Sequence, residues 1–154
     1  MPQPIQLRYS VNSALLGIAL PLVFIAITFN NLCYSYLNQN NINWMLIAGA
    51  DLLLLSYMAF VVIKRLIPAL QGQVALELNE KGINDYVHNI AIEWSYVKDL
   101  ELEYGRNAAK LIVDLKHETE YGTQVVIRLR WVKGKDSEIF DEAYTYFEEV
   151  KGLN

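Results

Sequence analysis

WMLIAGADLLLLSYMAFVVI, residues Trp44 to Ile63, decides the fold class of this chain. Its twenty residues carry one charge, Asp51. At ~1.5 Å of rise per residue a helix of that length spans roughly 30 Å, the thickness of a bilayer's hydrocarbon core. A helix on the surface of a water-soluble domain keeps one polar face, and this run has none. Lys64 and Arg65 follow at once, so the apolar stretch ends on two cations. The expectation is a transmembrane helix over 44–63.

Toward the N-terminus, ALLGIALPLVFIAITF (14–29) is uncharged, with Thr28 its one polar residue. It is short for a crossing, and continuing it through Asn30 and Asn31 to Tyr36 gives a second span of about 14–36. Pro21 lies mid-span, where membrane helices tolerate it better than soluble ones. The competing reading, a signal peptide, lacks its marks: no small-residue cleavage site follows, and a single Arg8 precedes the run. Residues 37–43, LNQNNIN, read as a short polar turn, and MPQPIQLRYS at the start as an extended or interfacial lead-in. Residues 1–67 are therefore expected to form a membrane α-hairpin.

The 154 residues leave room for one small domain besides the hairpin. Before Lys64 the only charges are Arg8 and Asp51; the other twelve Lys/Arg and sixteen Asp/Glu follow, so the C-terminal part is acidic. An acidic domain argues against nucleic acid as a partner, because phosphate backbones need a cationic surface. Cys33 is the only cysteine, which rules out an intrachain disulfide framework and a cysteine-based metal site. Arg8 before the first span and Lys64 and Arg65 after the second, with no cation between them, place both termini in the cytoplasm of a bacterium and the short loop outside its inner membrane. Tyr34, Tyr36 and Trp44 fall where an outer aromatic belt sits.

Pro68 and Gly72 mark a linker over 68–72, after which the pattern changes from continuous apolar to alternating. Strands are expected at 74–79, 83–87, 90–94, 97–104, 110–116 and 123–132. Glu80-Lys81-Gly82 reads as a turn, with Gly82 free to take positive φ. Leu100, Leu102 and Tyr104 are expected to point inward, as are Val125, Ile127, Leu129 and Trp131. Residues 136–151 read as a helix with Asp136 at its start and an apolar stripe of Ile139, Phe140, Ala143, Tyr144, Phe147 and Val150. The expected whole is a membrane α-hairpin followed, over 73–154, by a small α+β domain of antiparallel strands closed by that helix.

LELNEKGINDYV (76–87) followed by IEWSYVKDLELEY (92–104) resembles the text of small uncharacterised bacterial membrane proteins with two N-terminal transmembrane helices and a PH-like C-terminal domain. The resemblance implies a partly open PH-like barrel capped by the last helix, and it implies no activity. Phosphoinositide-binding PH domains carry a cationic cluster in the first hairpin; the turn here is Asn79-Glu80-Lys81-Gly82, so headgroup recognition through it is not expected.

Asp51 is the residue that most asks for an explanation. A carboxyl at mid-bilayer costs ~2.5–3.5 kcal/mol on insertion scales, so it faces protein or water. Asn30 and Asn31 lie at similar depth in the other span and are its expected partners, within one chain or between copies, with Ala48, Gly49 and Ala50 allowing close approach. The functional reading is an ion-sensitive or docking site; the structural one is packing glue. Arg128, Arg130, Lys133 and Lys135 read either as a lipid or partner contact or as a solvated edge. His88 and His117 are too far apart in sequence to form a recognisable metal motif, and no phosphate loop or nucleophile elbow is present. Neither a catalytic residue nor a cofactor is expected. The chain reads as a non-enzymatic, membrane-anchored interaction module or accessory subunit. Its expected partners are membrane lipid and another membrane protein or further copies of itself. The alternative is a ligand-gated two-helix membrane effector of bacterial defence, with the β domain as sensor.

Overall fold

Among the described residues are two helices long and apolar enough to cross a membrane, two antiparallel sheets and a C-terminal helix. A computed structural model describes residues 3–37, 44–106, 108–119 and 121–152, with the side chains of 35–37 and 44 outside that description. The expected turn at 38–43 therefore lies outside the described residues, as do the side chains of Tyr36 and Trp44. The chain divides into two units: Val11–Gln71, and the residues up to Ser10 together with those from Gly72 onward.

The first unit is a helical hairpin. Helix α1 runs Val11–Leu37, through Pro21, and α2 runs Trp44–Val61. Their shared seam recurs at steps of three and four, through the covered or half-covered Ala14, Gly17, Pro21, Ile25 and Thr28 on α1 and Ile47, Asp51, Leu54, Met58 and Val61 on α2. Ala48, Gly49 and Ala50, expected to ease close approach, instead face away, and nothing lies within 4 Å of where a Gly49 Cβ would stand. The small residues of the seam are Ala14 and Gly17.

The helix does not stop at Ile63. A π-helical turn over Val62–Leu66, with the Ile67 N–H bonded to the Val62 carbonyl, leads into α3, Ile67–Leu70. Pro68 lies in the first turn of α3, where a missing N–H costs least, so it follows the widened turn rather than ending the helix. The expected linker over 68–72 shrinks to the residues after Leu70.

Among the described residues the second unit holds seven strands in two sheets. Strand β1 (Ile5–Arg8), expected as a lead-in, pairs antiparallel with β2 (Val74–Leu78), Arg8 standing opposite Val74. The sheet continues through β3 (Gly82–Asp85) and β4 (Ile90–Glu93) in the order β1-β2-β3-β4. Strands β5 (Val97–Tyr104), β6 (Ala109–Thr119) and β7 (Gly122–Arg128) form the other sheet. A 3₁₀ turn at Trp94–Tyr96 joins the sheets on one side. On the other, Ser10 N–H donates to the Trp131 carbonyl (2.8 Å) and Lys133 N–H to that of Arg8 (2.8 Å).

Gly82 begins β3 and is not among the positive-φ residues. It is glycine because strands β3 and β4 touch there: an added Cβ would stand 1.8 Å from the Ile92 carbonyl oxygen. Positive φ falls instead on Asn89, in the β3–β4 corner.

The core combines Leu76, Leu78, Ile83, Leu111, Val113 and Ile127 with one face of α4 (Asp136–Gly152). That face is Ile139, Ala143, Tyr146 and Phe147; Tyr144, placed in the stripe by periodicity, is exposed, and Tyr146 is buried in its stead. Two further inward assignments are corrected. Tyr104 is 70% exposed, because β5 outruns the helix that covers its start. Trp131 is half-buried in a 3₁₀ turn, Leu129–Trp131, where alternation ends.

Candidate functional site

In the hairpin, the half-buried Asp51 carboxylate meets α1 at Thr28, whose Oγ1 donates to Asp51 Oδ1 at 2.9 Å. The same hydroxyl lies 2.9 Å from the Ile25 carbonyl and 3.2 Å from that of Phe24, so its single proton has three acceptors within reach. Asn30 and Asn31 are exposed on the same helix and do not join this contact within one chain. The register explains the shift, since the seam advances by three and four and reaches Thr28 from Ile25, passing the asparagines by. Thr28 was visible in the sequence as the lone polar residue of its run; which residue faced it was not.

Of the expected belt, Tyr34 is 65% exposed. Lys64 is exposed and Arg65 half-buried, both inside the π-helical turn and so within the helix. The four cations at the end of β7 and beyond it are all exposed. Arg128 ends the strand and is exposed, and the Arg130 guanidinium lies 5.0 Å from the centre of its neighbour Trp131's ring. The Lys133 backbone N–H pairs with β1 while its side chain is exposed, and the Lys135 ammonium sits 2.9 Å from Glu138, which raises its pKa above the ordinary lysine value.

Two features of the sheet unit had no sequence signal. Asp85, 2% exposed, ties the β3–β4 corner: its Oδ1 accepts from the N–H of Val87 (2.8 Å) and of His88 (3.3 Å), and its Oδ2 lies 2.6 Å from His88 Nδ1. That spends His88 on a local turn. Among the described residues no group of three or more His, Cys, Asp or Glu stands close enough to hold a metal ion. Tyr146 is buried with no hydrogen-bond partner for its hydroxyl among the described residues. Burial first, then Glu80 and Glu149, push its pKa above the usual 10.0. Its ring stacks on Trp94 at 5.8 Å, and Trp94 Nε1 in turn donates to the Asn79 carbonyl at 2.8 Å.

Beside Trp94 opens a cleft of about 460 Å³. Its walls come from the β2–β3 turn, the β4–β5 turn, the end of β6 and the last turn of α4, and four lysines stand on them: Lys81, Lys98, Lys116 and Lys151. These are dispersed over seventy residues of an acidic chain, so no cationic run announces them. Only the antiparallel order of the strands brings them to one end. No protein-family model matches the chain, and no characterised protein or solved structure matches it either.

Proposed function

We propose that this protein is a non-enzymatic interaction module held in the bacterial cytoplasmic membrane by a two-helix hairpin, its PH-like sheet domain displayed in the cytoplasm. One observation carries the reading. The hairpin's outward surface is apolar almost throughout, with only 11% of the Val11–Tyr34 window and 6% of the Met45–Leu70 window buried. A helix of that composition in a soluble core is mostly covered, and leaving such a surface in water costs about 25 cal/mol per Å².

Chain connectivity supports the topology. Arg8 and Val74 stand opposite each other in one sheet, so the chain departs for the hairpin and returns from it at neighbouring strands. Two crossings return the chain to the side it left, and the cations near both returns favour the cytoplasm. The four-plus-three strand arrangement with a closing C-terminal helix supports the PH-like description. A reporter inserted at Asn40 is expected to read as external and one fused after Asn154 as internal; the reverse pattern defeats the topology. Purification from native membrane in mild detergent is expected to bring down a stoichiometric partner, and recovery of isolated monomers alone counts against an interaction role.

A second reading, a ligand-gated membrane effector, draws support from the lysine-walled cleft. It predicts membrane depolarisation on ligand addition, which the first does not.

A further inference from the structure

We infer that the cleft between the last turn of α4 and the β4–β5 turn binds a small phosphorylated ligand carrying at least two negative charges. The inference stands whichever of the two functional readings holds.

The lining begins with charge. Lys81, Lys98, Lys116 and Lys151 face two carboxylates, Glu80 and Glu93, so the mouth is net cationic in a chain of net charge −4. Among the described residues no ion pair joins any of these four lysines to Glu80 or Glu93. Lys81 and Lys98 have no ion-pair partner among those residues at all. Lys116 donates to the Ser95 carbonyl (3.0 Å), and Lys151 stands 3.6 Å from Glu148 and 5.2 Å over the Phe147 ring. Like charges gathered at one mouth repel, and an anion placed among them relieves that repulsion.

The cations suit phosphate. No arginine lines the cleft. Lysine acts as a compact point charge that meets phosphate from several directions, without the planar fork by which arginine binds carboxylate and phosphate alike. The floor narrows the ligand. Trp94 and Phe147 are almost fully buried, locked by ring contacts at 5.8 Å and by the Trp94 bond to Asn79, and Val97 and Val150 complete an apolar base. A rigid apolar base with charged walls and a volume of about 460 Å³ fits a molecule with an anionic head and a compact ring or carbon body. Finally, the cleft occupies the end of the unit where β2 meets β3 and β4 meets β5.

The test uses the full chain in uncharged detergent and calorimetric titration with three probes: inorganic pyrophosphate, ADP, and inositol 1,4,5-trisphosphate as a freed lipid headgroup. Pyrophosphate and ADP are expected to bind, ADP the tighter through its ring, and both more weakly as salt rises. Lys81→Glu and Lys98→Glu are each expected to weaken binding about tenfold, Lys98→Gln by less, and Lys135→Glu, outside the cleft, not at all. Unchanged thermal midpoints in these variants confirm that folding is intact. Binding of the inositol probe alone, lost in Lys98→Glu, supports the site and assigns it to a lipid headgroup. Silence from all three probes, or equal binding by Lys98→Glu and Lys135→Glu, overturns the inference.

Discussion

The hairpin and the sheet unit are built inside out with respect to each other. In the sheet unit, Leu76, Leu78, Ile83 and Leu111 are sealed from solvent while Glu101, Glu103 and Lys98 face out. In the hairpin, Leu20, Leu46, Leu52 and Leu53 face out, and the covered seam holds Ala14, Gly17, Thr28 and Asp51. On the proposed membrane placement one rule yields both: each surface matches its surroundings, and where lipid takes the place of water, helices meet through small and hydrogen-bonding residues because apolar burial no longer drives them together.

The comparison breaks most plainly if the two units cannot be separated. A chain beginning at Gly72 loses β1 and bares the edge of β2, so it is expected to be largely unfolded. Joining Ser10 to Gly72 through Asn-Gly is expected to restore a soluble, cooperatively melting domain, since Tyr9 N–H already bonds the Gln73 carbonyl across the gap (3.2 Å). Failure of the joined chain to fold would tie the sheet unit to its helices. Gly82→Ala comes next, with an expected loss of at least about 4 kcal/mol in denaturant unfolding of that domain, because the new methyl meets backbone rather than a movable side chain.

Leu53→Asp sharpens the contrast of environments. Leu53 is 73% exposed, so in a water-soluble protein the change is worth within about 0.5 kcal/mol. In a bilayer it costs ~2.5–3.5 kcal/mol, visible as loss of the protein from the membrane fraction. Tyr146→Phe removes a buried hydroxyl with no partner among the described residues and is expected to stabilise the sheet unit by about 1 kcal/mol. With the tyrosine pKa raised in the folded state, stability holds below pH 10.0 and falls as pH rises beyond it; the phenylalanine variant is expected to lose that part of the alkaline slope. Smallest is Thr28→Val, about 0.6 kcal/mol in helix association measured in detergent, with Asp51→Leu likewise leaving insertion intact while weakening the seam.

The six strands from β2 to β7 and the closing helix were legible because alternation and 3.6-residue periodicity are local properties. Strand β1 was not, since Ile-Gln-Leu-Arg is four residues long and its partner lies some seventy residues on, beyond both helices. The helix past Pro68 was missed for a related reason: the proline follows a π turn, and such a turn has no signature of its own in the sequence. At the candidate sites, the sequence singled out Asp51 by its cost in lipid, while its partner was displaced from Asn30 and Asn31 to Thr28 by the seam's register.

What the sequence by itself determined is the surface each part presents: a long uncharged run makes a helix apolar on every side, and an alternating charged one makes a strand with one polar face, whatever folds around them. Tertiary structure alone decided which distant residues meet, namely β1 with β2, Thr28 with Asp51, and four scattered lysines around one aromatic floor. Solvent preference is a property of each residue and its neighbours in the chain. Proximity across tens of residues depends on strand order and helix register, which no local pattern encodes.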